Sequence, residues 1–148
     1  MTEQAWLHIS FYTEPGAYEP IRAHEDDAGA DLRTPKDVTI GTRSSAVIDT
    51  GVHVNLPKGY VGMLKAKSGL NIKHDIIGTG VVDAGYTGSI VVKLYNLGDT
   101  PYEFKAGDKI IQLVISPIIT PTFSRKSKKF FTTLDTERKD QGFGSTGV

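Results

Sequence analysis

The 148-residue sequence contains no cysteine and no long apolar segment. The absence of cysteine excludes disulfide bonds and thiolate-ligated metals, and it is typical of proteins from a reducing compartment. No apolar run approaches the ~20 residues of a membrane-spanning helix, and the opening MTEQAWLHIS lacks the basic start and apolar core of a signal peptide. We therefore expect a soluble cytoplasmic protein, or one of the host-cell cytoplasm if the source is viral, with no membrane partner.

An excess of charge of one sign is also missing, as is any clustering of histidine. Seventeen basic residues balance seventeen acidic ones, so we expect no surface that follows nucleic acid throughout and no nucleic-acid partner. No serine lies in a nucleophile-elbow pattern, which leaves nucleophilic catalysis with little support. A hard cation such as Mg²⁺ can be held by one carboxylate together with waters and a substrate phosphate. The spacing of residues in the sequence would not reveal such a site. The four histidines, by contrast, show no helical or hairpin pairing, so each is more simply a surface or strand residue than a zinc ligand. They are His8, His24, His53 and His74.

Glycine and proline, by contrast, are frequent, with sixteen and seven residues respectively, and they leave little room for a long helix. Short segments with β-type patterns lie between them, at 7–12, 51–57, 60–64, 89–97 and 109–115. Only 68–76 has room for one or two helical turns, opened by Ser68. The length suits one domain, and the spacing of the strands predicts an all-β antiparallel barrel or jelly roll.

The segment after Pro121 changes character, being polar and strongly charged with few apolar residues. Composition alone favours a solvated tail, whereas Phe130 and Phe131 predict an anchor that pins its beginning. We therefore divide the single domain into a core over 1–120 and a carboxyl-terminal arm over 121–148, whose glycine-rich end stays flexible.

Three glycine-flanked segments carry polar groups that suit chemistry on a phosphate ester. They are DDAGADL with Asp31, AKSGL with Ser68, and GTGVVDAGYTG with Asp83 and Tyr86. Each alone is more simply a turn or a cross-strand packing residue. Together they supply a base for water, a carboxylate for Mg²⁺ and donors for phosphate oxygens, to which Gln112 adds a side-chain amide.

Five motifs follow one another along the chain in a recognisable order. They read AGADL at 28–32, KSGL at 67–70, GVVDAGYTG at 80–88, GDKIIQLV at 107–114 and RKDQGFGSTG at 138–147. In this order and spacing they resemble the trimeric deoxyuridine triphosphatase (dUTPase) family. The resemblance implies a β jelly-roll homotrimer with interfacial active sites that uses Mg²⁺ to hydrolyse dUTP to dUMP and pyrophosphate. Such an enzyme keeps uracil out of DNA and supplies dUMP for thymidylate synthesis.

The resemblance also implies roles for individual residues. Asp31 would reach Mg²⁺ through water, and Asp83 would activate the water that attacks the α-phosphorus. Tyr86 would lie under the deoxyribose and exclude a 2′-hydroxyl, while main-chain groups over 77–86 would bind the uracil edge. The other substrate-binding positions that the motifs imply are Lys67, Ser68, Gly69, Gly80, Val82, Gln112, Arg138, Phe143, Gly144, Ser145 and Thr146.

In the arm, Arg138 would meet the γ-phosphate and Phe143 would cover the uracil, which makes the glycine-rich end a substrate lid. The chain departs from the family pattern at Lys67, where arginine is usual, and at Lys139 and Gln141, where glycine is usual. Lysine keeps the charge but loses the planar bidentate fork of arginine. If the two arm positions need a positive φ, closing the arm carries a conformational cost.

Two alternatives remain open at the level of sequence. The first is a dCTP deaminase, which shares the fold and the handling of triphosphate; the tyrosine after GVVDAG and the complete aromatic arm favour a dUTPase. The second is a regulatory binding protein on the same fold, against which the intact Asp83 weighs. The loop over 12–27 offers a surface for a protein partner, but the sequence identifies none.

Overall fold

A computed structural model describes residues 7–144 of the chain. Within that range nine strands and two short helices follow one another. The strands are β1 (Ser10–Thr13), β2 (Gly29–Arg33), β3 (Val38–Ile40), β4 (Ser44–Asn55), β5 (Tyr60–Lys65), β6 (Ile76–Val82), β7 (Ser89–Asn96), β8 (Tyr102–Phe104) and β9 (Lys109–Pro117). The helices are α1 (Ser68–His74) and α2 (Lys128–Thr132).

Seven strands form one sheet in the order β1-β4-β7-β6-β5-β9-β2, and β3 pairs with β8 in a second, two-stranded sheet. Every pairing of these strands is antiparallel. The fold is the all-β jelly roll that the sequence predicts. Neither helix within residues 7–144 meets the length and hydropathy needed to cross a membrane.

Strict alternation of side chains places one face of the sheet on the core. Along β7 the residues from Ile90 to Asn96 alternate between buried and exposed, because successive side chains of a strand point to opposite faces. The predicted alternation over 51–57 is confirmed, with Val52, Val54 and Leu56 in the core. In β9 the consecutive pair Ile110 and Ile111 is fully buried, as expected for a strand that is covered on both faces.

The structure differs from the sequence-based expectations at several places. The first strand begins at Ser10 rather than at Leu7, and Phe11 is exposed although the alternation over 7–12 puts it on one face with Leu7 and Ile9, which are partly buried. Strands β3 and β8 are too short to show a pattern. Helix α2 was not predicted, although Ser127 caps it by accepting a hydrogen bond from the Phe130 amide (3.2 Å), which is a common start signal.

The arm lies apart from the core in the single chain. Every residue from 117 to 141 is exposed, and the side-chain hydrogen bonds of the described arm residues from 127 onward are made within the arm. Phe130 and Phe131 meet edge to face at 5.5 Å between ring centroids. Both rings remain exposed, so within one chain they do not form the anchor on the core that the sequence suggested.

Candidate active site

Antiparallel pairing brings three of the motifs to one region of the sheet. Asp31 on β2 lies opposite Gln112 on β9, and Gln112 lies opposite Lys65 on β5. Helix α1 begins at Ser68, three residues beyond the end of that β5 ladder, with Lys67 as its N-cap residue. The first, second and fourth motifs, far apart in sequence, therefore meet across neighbouring strands.

Asp31 is the electrostatic centre of this region. Its side chain is only 6% exposed, and its two oxygens face the ammonium groups of Lys67 and Lys109, the latter at 3.3 Å. We call these three residues the lysine–aspartate cluster. Burial opposes ionisation, but hydrogen bonds from Lys67 and Lys109 outweigh it and hold the pKa of the Asp31 carboxyl below its usual value. Asp31 is therefore an anion between two cations.

Gln112 lies beside the lysine–aspartate cluster and is partly buried. Its side-chain Nε2 donates to the Ala66 carbonyl at 3.1 Å, which links β9 to the segment that leads into α1. A Cβ atom at Gly29 would lie 2.5 Å from the Gln112 Oε1, so only glycine leaves room for this amide. Ser68 and Gly69 follow Lys67 in the first turn of α1 and are exposed.

The third motif forms β6 and the turn that leads into β7, which we call the β6–β7 turn (residues 83–88). Asp83 is exposed there, and its carbonyl accepts a hydrogen bond from the Tyr86 amide at 3.2 Å. The half-exposed Tyr86 donates its hydroxyl to the Ser89 carbonyl at 2.8 Å. Val82 points into the core and Gly80 packs on Leu64, so those two positions offer main-chain groups rather than side chains to a ligand.

Asp83 and the lysine–aspartate cluster do not meet within one chain. Val82, which precedes Asp83, is paired with Gly62 on β5, whereas Gln112 is paired with Lys65. Three residues of strand separate those rungs, about 10 Å at ~3.3 Å per residue. The catalytic candidate and the phosphate-binding candidates therefore lie at different positions along β5.

The described arm residues are exposed up to 141, and several of them contact one another. Arg138 donates its Nε to the Gln141 carbonyl at 2.7 Å. Lys139 adopts a φ of 49° and Phe143 a φ of 48°, the left-handed region that favours glycine. The anticipated strain is thus present at Lys139 but not at Gln141, which is outside that region. Gly144 also has a positive φ, while Ser145 and Thr146 lie outside the described residues.

Sequence reasoning missed Lys109, the second cation on Asp31. The signal was available, since Lys109 opens the strand of the fourth motif next to Gly107 and Asp108. It was hidden because a lysine at the start of a strand is ordinarily a solvated residue. Sequence reasoning also missed His53, whose ring reaches the carbonyl of Thr87 in the β6–β7 turn; a contact across 34 positions leaves no local pattern.

Comparison with known proteins agrees with the motifs. The dUTPase family model matches residues 17–147. The chain is similar to the deoxyuridine 5′-triphosphate nucleotidohydrolase of Clostridium novyi (38% identity, covering 92% of this chain and 95% of the relative). It is also similar to that of Mycolicibacterium gilvum (40% identity, 90% of each chain).

Solved structures extend the likeness to three dimensions. The Staphylococcus bacteriophage 80alpha dUTPase with dUPNHPP superposes with a TM-score of 0.86 at 30% identity, over 95% of this chain and 99% of that one. A mutant dUTPase from phage phi11 of S. aureus, solved to describe the coordination of a structural Mg(II) ion, has a TM-score of 0.76 at 29% identity, over 82% and 98% of the two chains. By its motifs, its fold and its relatives, the chain belongs to the dUTPase family.

Proposed function

We propose that this chain is a dUTP diphosphatase that hydrolyses dUTP to dUMP and pyrophosphate. One observation carries the proposal: the exposed carboxylate of Asp83 lies three residues before Tyr86 on the β6–β7 turn, inside the segment matched by the dUTPase family. Relatives of more than 35% identity carry the name of this nucleotidohydrolase activity. The product dUMP would feed thymidylate synthesis, and a cytoplasmic location suits a cysteine-free chain.

In this proposal Asp83 accepts a proton from the water that attacks the α-phosphorus. An exposed carboxylate suits this role because nothing in its surroundings must be displaced for water to approach. Tyr86 presents the face of its ring to the deoxyribose, since its hydroxyl is already held by Ser89. Main-chain groups of Gly80 and Val82 contact the base.

The triphosphate would bind at the lysine–aspartate cluster. Lys67 and Lys109 provide two ammonium groups, and the exposed Ser68 and Gly69 provide a hydroxyl and open backbone beside Lys67. Hydrolysis of a phosphoanhydride needs mainly positioning and neutralisation of charge. The two ammonium groups and the partly buried amide of Gln112 beside them therefore support binding of the triphosphate here.

Mg²⁺ fits the same region as a cofactor. It prefers oxygen ligands, keeps several waters and is commonly held by one carboxylate together with substrate phosphates. No group of three or more metal-ligating side chains occurs in residues 7–144, while Asp31 offers one carboxylate whose oxygens also face lysines. This suits an ion that arrives with the triphosphate and reaches Asp31 through water. When bound, it would neutralise charge on the phosphate oxygens.

Membership of the dUTPase family supports a homotrimer with interfacial sites. The rungs next to Asp83 and at Gln112 lie about 10 Å apart along β5, which is compatible with a complete site that takes the two residues from different subunits. The arm, which is exposed over 121–141, would then close as a lid in which Arg138 meets the γ-phosphate and Phe143 covers the uracil. Gly144, Ser145 and Thr146 would wrap the phosphates.

The activity is tested by measuring pyrophosphate release from dUTP, UTP, dCTP, dTTP, dATP and dGTP, with Mg²⁺ and with EDTA. We expect release from dUTP alone, and much more with Mg²⁺. Ammonia release from dCTP without turnover of dUTP would identify a deaminase instead. Nucleotide binding without turnover of any substrate would favour the regulatory binding protein.

Shared sites are tested by mixing two impaired variants, Asp83→Asn and Gln112→Ala, after joint unfolding and refolding, with dUTP well below KM. If each site combines residues of different subunits, mixed oligomers contain some intact sites and activity rises above the average of the two variants. Each variant refolded alone is the control. Activity equal to the average of the two controls would place both residues in the site of a single subunit.

A further inference from the structure

Three hydrogen bonds tie the β6–β7 turn and Ser89, the first residue of β7, to β4 and to Leu56, the residue that follows β4. The Gly85 amide donates to the Leu56 carbonyl at 3.2 Å. The Ser89 hydroxyl donates to Asp49. The Nδ1 atom of His53 lies 2.7 Å from the Thr87 carbonyl oxygen. The first bond is between main-chain groups, whereas the other two depend on side chains of β4.

His53 faces a hydrogen-bond acceptor with each of its two ring nitrogens. Nδ1 faces the Thr87 carbonyl, and Nε2 lies 3.1 Å from Oε1 of Glu14, in the segment after β1. A carbonyl and an ionised carboxylate can only accept, so both bonds form together only when the ring carries two protons. The ring is 22% exposed and the Glu14 side chain 49% exposed, so the contact with Glu14 is open to water on the carboxylate side.

Charged groups lie near the ring on several elements. Besides Glu14, β4 contributes Asp49, whose pKa is lowered by the hydrogen bond from Ser89, by that from the Gly51 amide, and by the charges of His53 and Lys36. From β1, Tyr12 lies with its ring centroid 5.1 Å from that of His53 and donates its hydroxyl to the other Glu14 oxygen at 3.2 Å. The charged groups near the ring are thus the carboxylates of Glu14 and Asp49, together with the ammonium of Lys36 near Asp49.

The hydrogen bond to Thr87 acts next to the residue assigned to the sugar. Thr87 follows Tyr86, and the bond from the Tyr86 hydroxyl to Ser89 spans it. A Cβ atom at Gly88 would lie 2.5 Å from the Tyr86 hydroxyl, so the tyrosine ring lies directly over this backbone. A shift of the Thr87 carbonyl therefore shifts the support of the Tyr86 ring.

We propose that His53 is a positioning residue: its imidazolium links Glu14 to the Thr87 carbonyl and holds the β6–β7 turn where Tyr86 and Asp83 meet substrate. This inference rests on the proposed function for its effect on catalysis, although not for the link itself. Histidine changes charge between about pH 5 and 8. A neutral imidazole carries a single N–H, so it can keep only one of the two hydrogen bonds.

The test uses His53→Gln, because a glutamine amide carries both of its N–H groups on one nitrogen, whereas the two acceptors face different ring nitrogens of His53; glutamine also does not titrate. Glu14→Gln keeps an acceptor but removes its charge. His24→Gln is the matched control, since His24 also lies 3.1 Å from a carboxylate, that of Asp27, but on an exposed loop. Thermal unfolding of each variant confirms that it is folded.

The first measurement is the rate of amide hydrogen exchange in residues 83–89. The rate of each variant is divided by the rate of wild type at the same pH. We expect His53→Gln to exchange about tenfold faster at pH 6.5, the effect of one charge-assisted hydrogen bond, and about as fast as wild type at pH 8.5. Glu14→Gln should show a smaller increase at pH 6.5, and His24→Gln none. If the exchange-rate ratio of His53→Gln is the same at both pH values, His53 does not link Glu14 to the Thr87 carbonyl.

The second measurement is KM and kcat for dUTP at the same two pH values. We expect the KM of His53→Gln to be raised several-fold at pH 6.5 but not at pH 8.5, with kcat within about threefold of wild type, because the turn is displaced rather than Asp83 removed. An unchanged KM at pH 6.5 would overturn the positioning role. If amide exchange of the β6–β7 turn is slow in wild type but the protein releases no pyrophosphate from dUTP, the proposed function is refuted, whereas the contact of His53 with Glu14 and Thr87 is not.

Discussion

Asp31 on β2 and Lys67 at the start of α1 form an ion pair although 36 positions separate them, and Lys109 approaches the same carboxylate at 3.3 Å. The pair connects the edge strand of the large sheet to the only helix that borders the candidate site within residues 7–144. It also shows what the lysine at 67 does in this chain: one ammonium neutralises a buried carboxylate, without the bidentate fork that arginine would offer.

Replacing Lys67 by methionine should destabilise the fold in a pH-dependent way. Because the pKa of Asp31 is lower in the folded chain, its ion pairs stabilise the fold above the unfolded pKa of about 3.9, and this stabilisation is lost as pH falls through the folded value. We expect Lys67→Met to lose about 1–3 kcal/mol at pH 7 and less at about pH 3. Denaturant unfolding at both pH values measures the free energy of unfolding, and Lys58→Met, at an exposed lysine, is the control. An equal loss of stability at the two pH values would contradict the ion-pair account.

Asp83→Asn should separate binding from turnover. Asparagine keeps the size of the side chain but cannot accept the proton of the attacking water, so kcat should fall by about 10²–10⁴-fold. Affinity for a non-hydrolysable dUTP analogue and the thermal midpoint should hardly change, since Asp83 is exposed. Asp99→Asn, in an exposed turn where Asp99 pairs with Arg43, is the control. A kcat near that of wild type would exclude Asp83 as the base.

Gly29→Ala should disturb the site through Gln112. The new methyl group would lie 2.5 Å from the Gln112 Oε1, so the amide must leave its bond to the Ala66 carbonyl. We expect KM for dUTP to rise roughly three- to tenfold, as for the loss of about one hydrogen bond. Gly41→Ala is the matched control, because the nearest atom, the Ser44 hydroxyl oxygen, would be at an ordinary 3.5 Å. Equal KM values for the two variants would show that Gln112 does not bind the triphosphate.

Removing residues 139–148 should abolish efficient turnover while the protein stays folded. The described arm residues are exposed and, from 127 onward, form their side-chain hydrogen bonds with one another, so the thermal midpoint should move little. Loss of the lid would leave the substrate open to water, and kcat/KM should fall by at least about tenfold. Phe143→Ala tests the aromatic contribution alone. A truncated chain that unfolds would show that the arm supports the core instead.

Much of the fold could be predicted because strands leave a local signal. Val52, Val54 and Leu56 alternate with polar residues, and burial follows that alternation. Strands β3 and β8, of three residues each, are too short for such a pattern, and Phe11 shows that alternation alone does not tell which face of an edge strand is covered. Helix α2 was missed because composition favoured a solvated tail, although its Ser127 cap was visible in sequence.

The sequence by itself determined the family, since five ordered motifs name the residue types that the chemistry requires, and it determined most strands, since burial on one face imposes a period of two. Only the tertiary structure decided how those residues are arranged. It brought Lys109 to Asp31, separated Asp83 from Gln112 along β5, and placed both nitrogens of His53 against acceptors. These relationships join positions tens of residues apart, and which side chains meet is set by the register between strands, which depends on the pairing partner as well as on the pattern and turns of one segment.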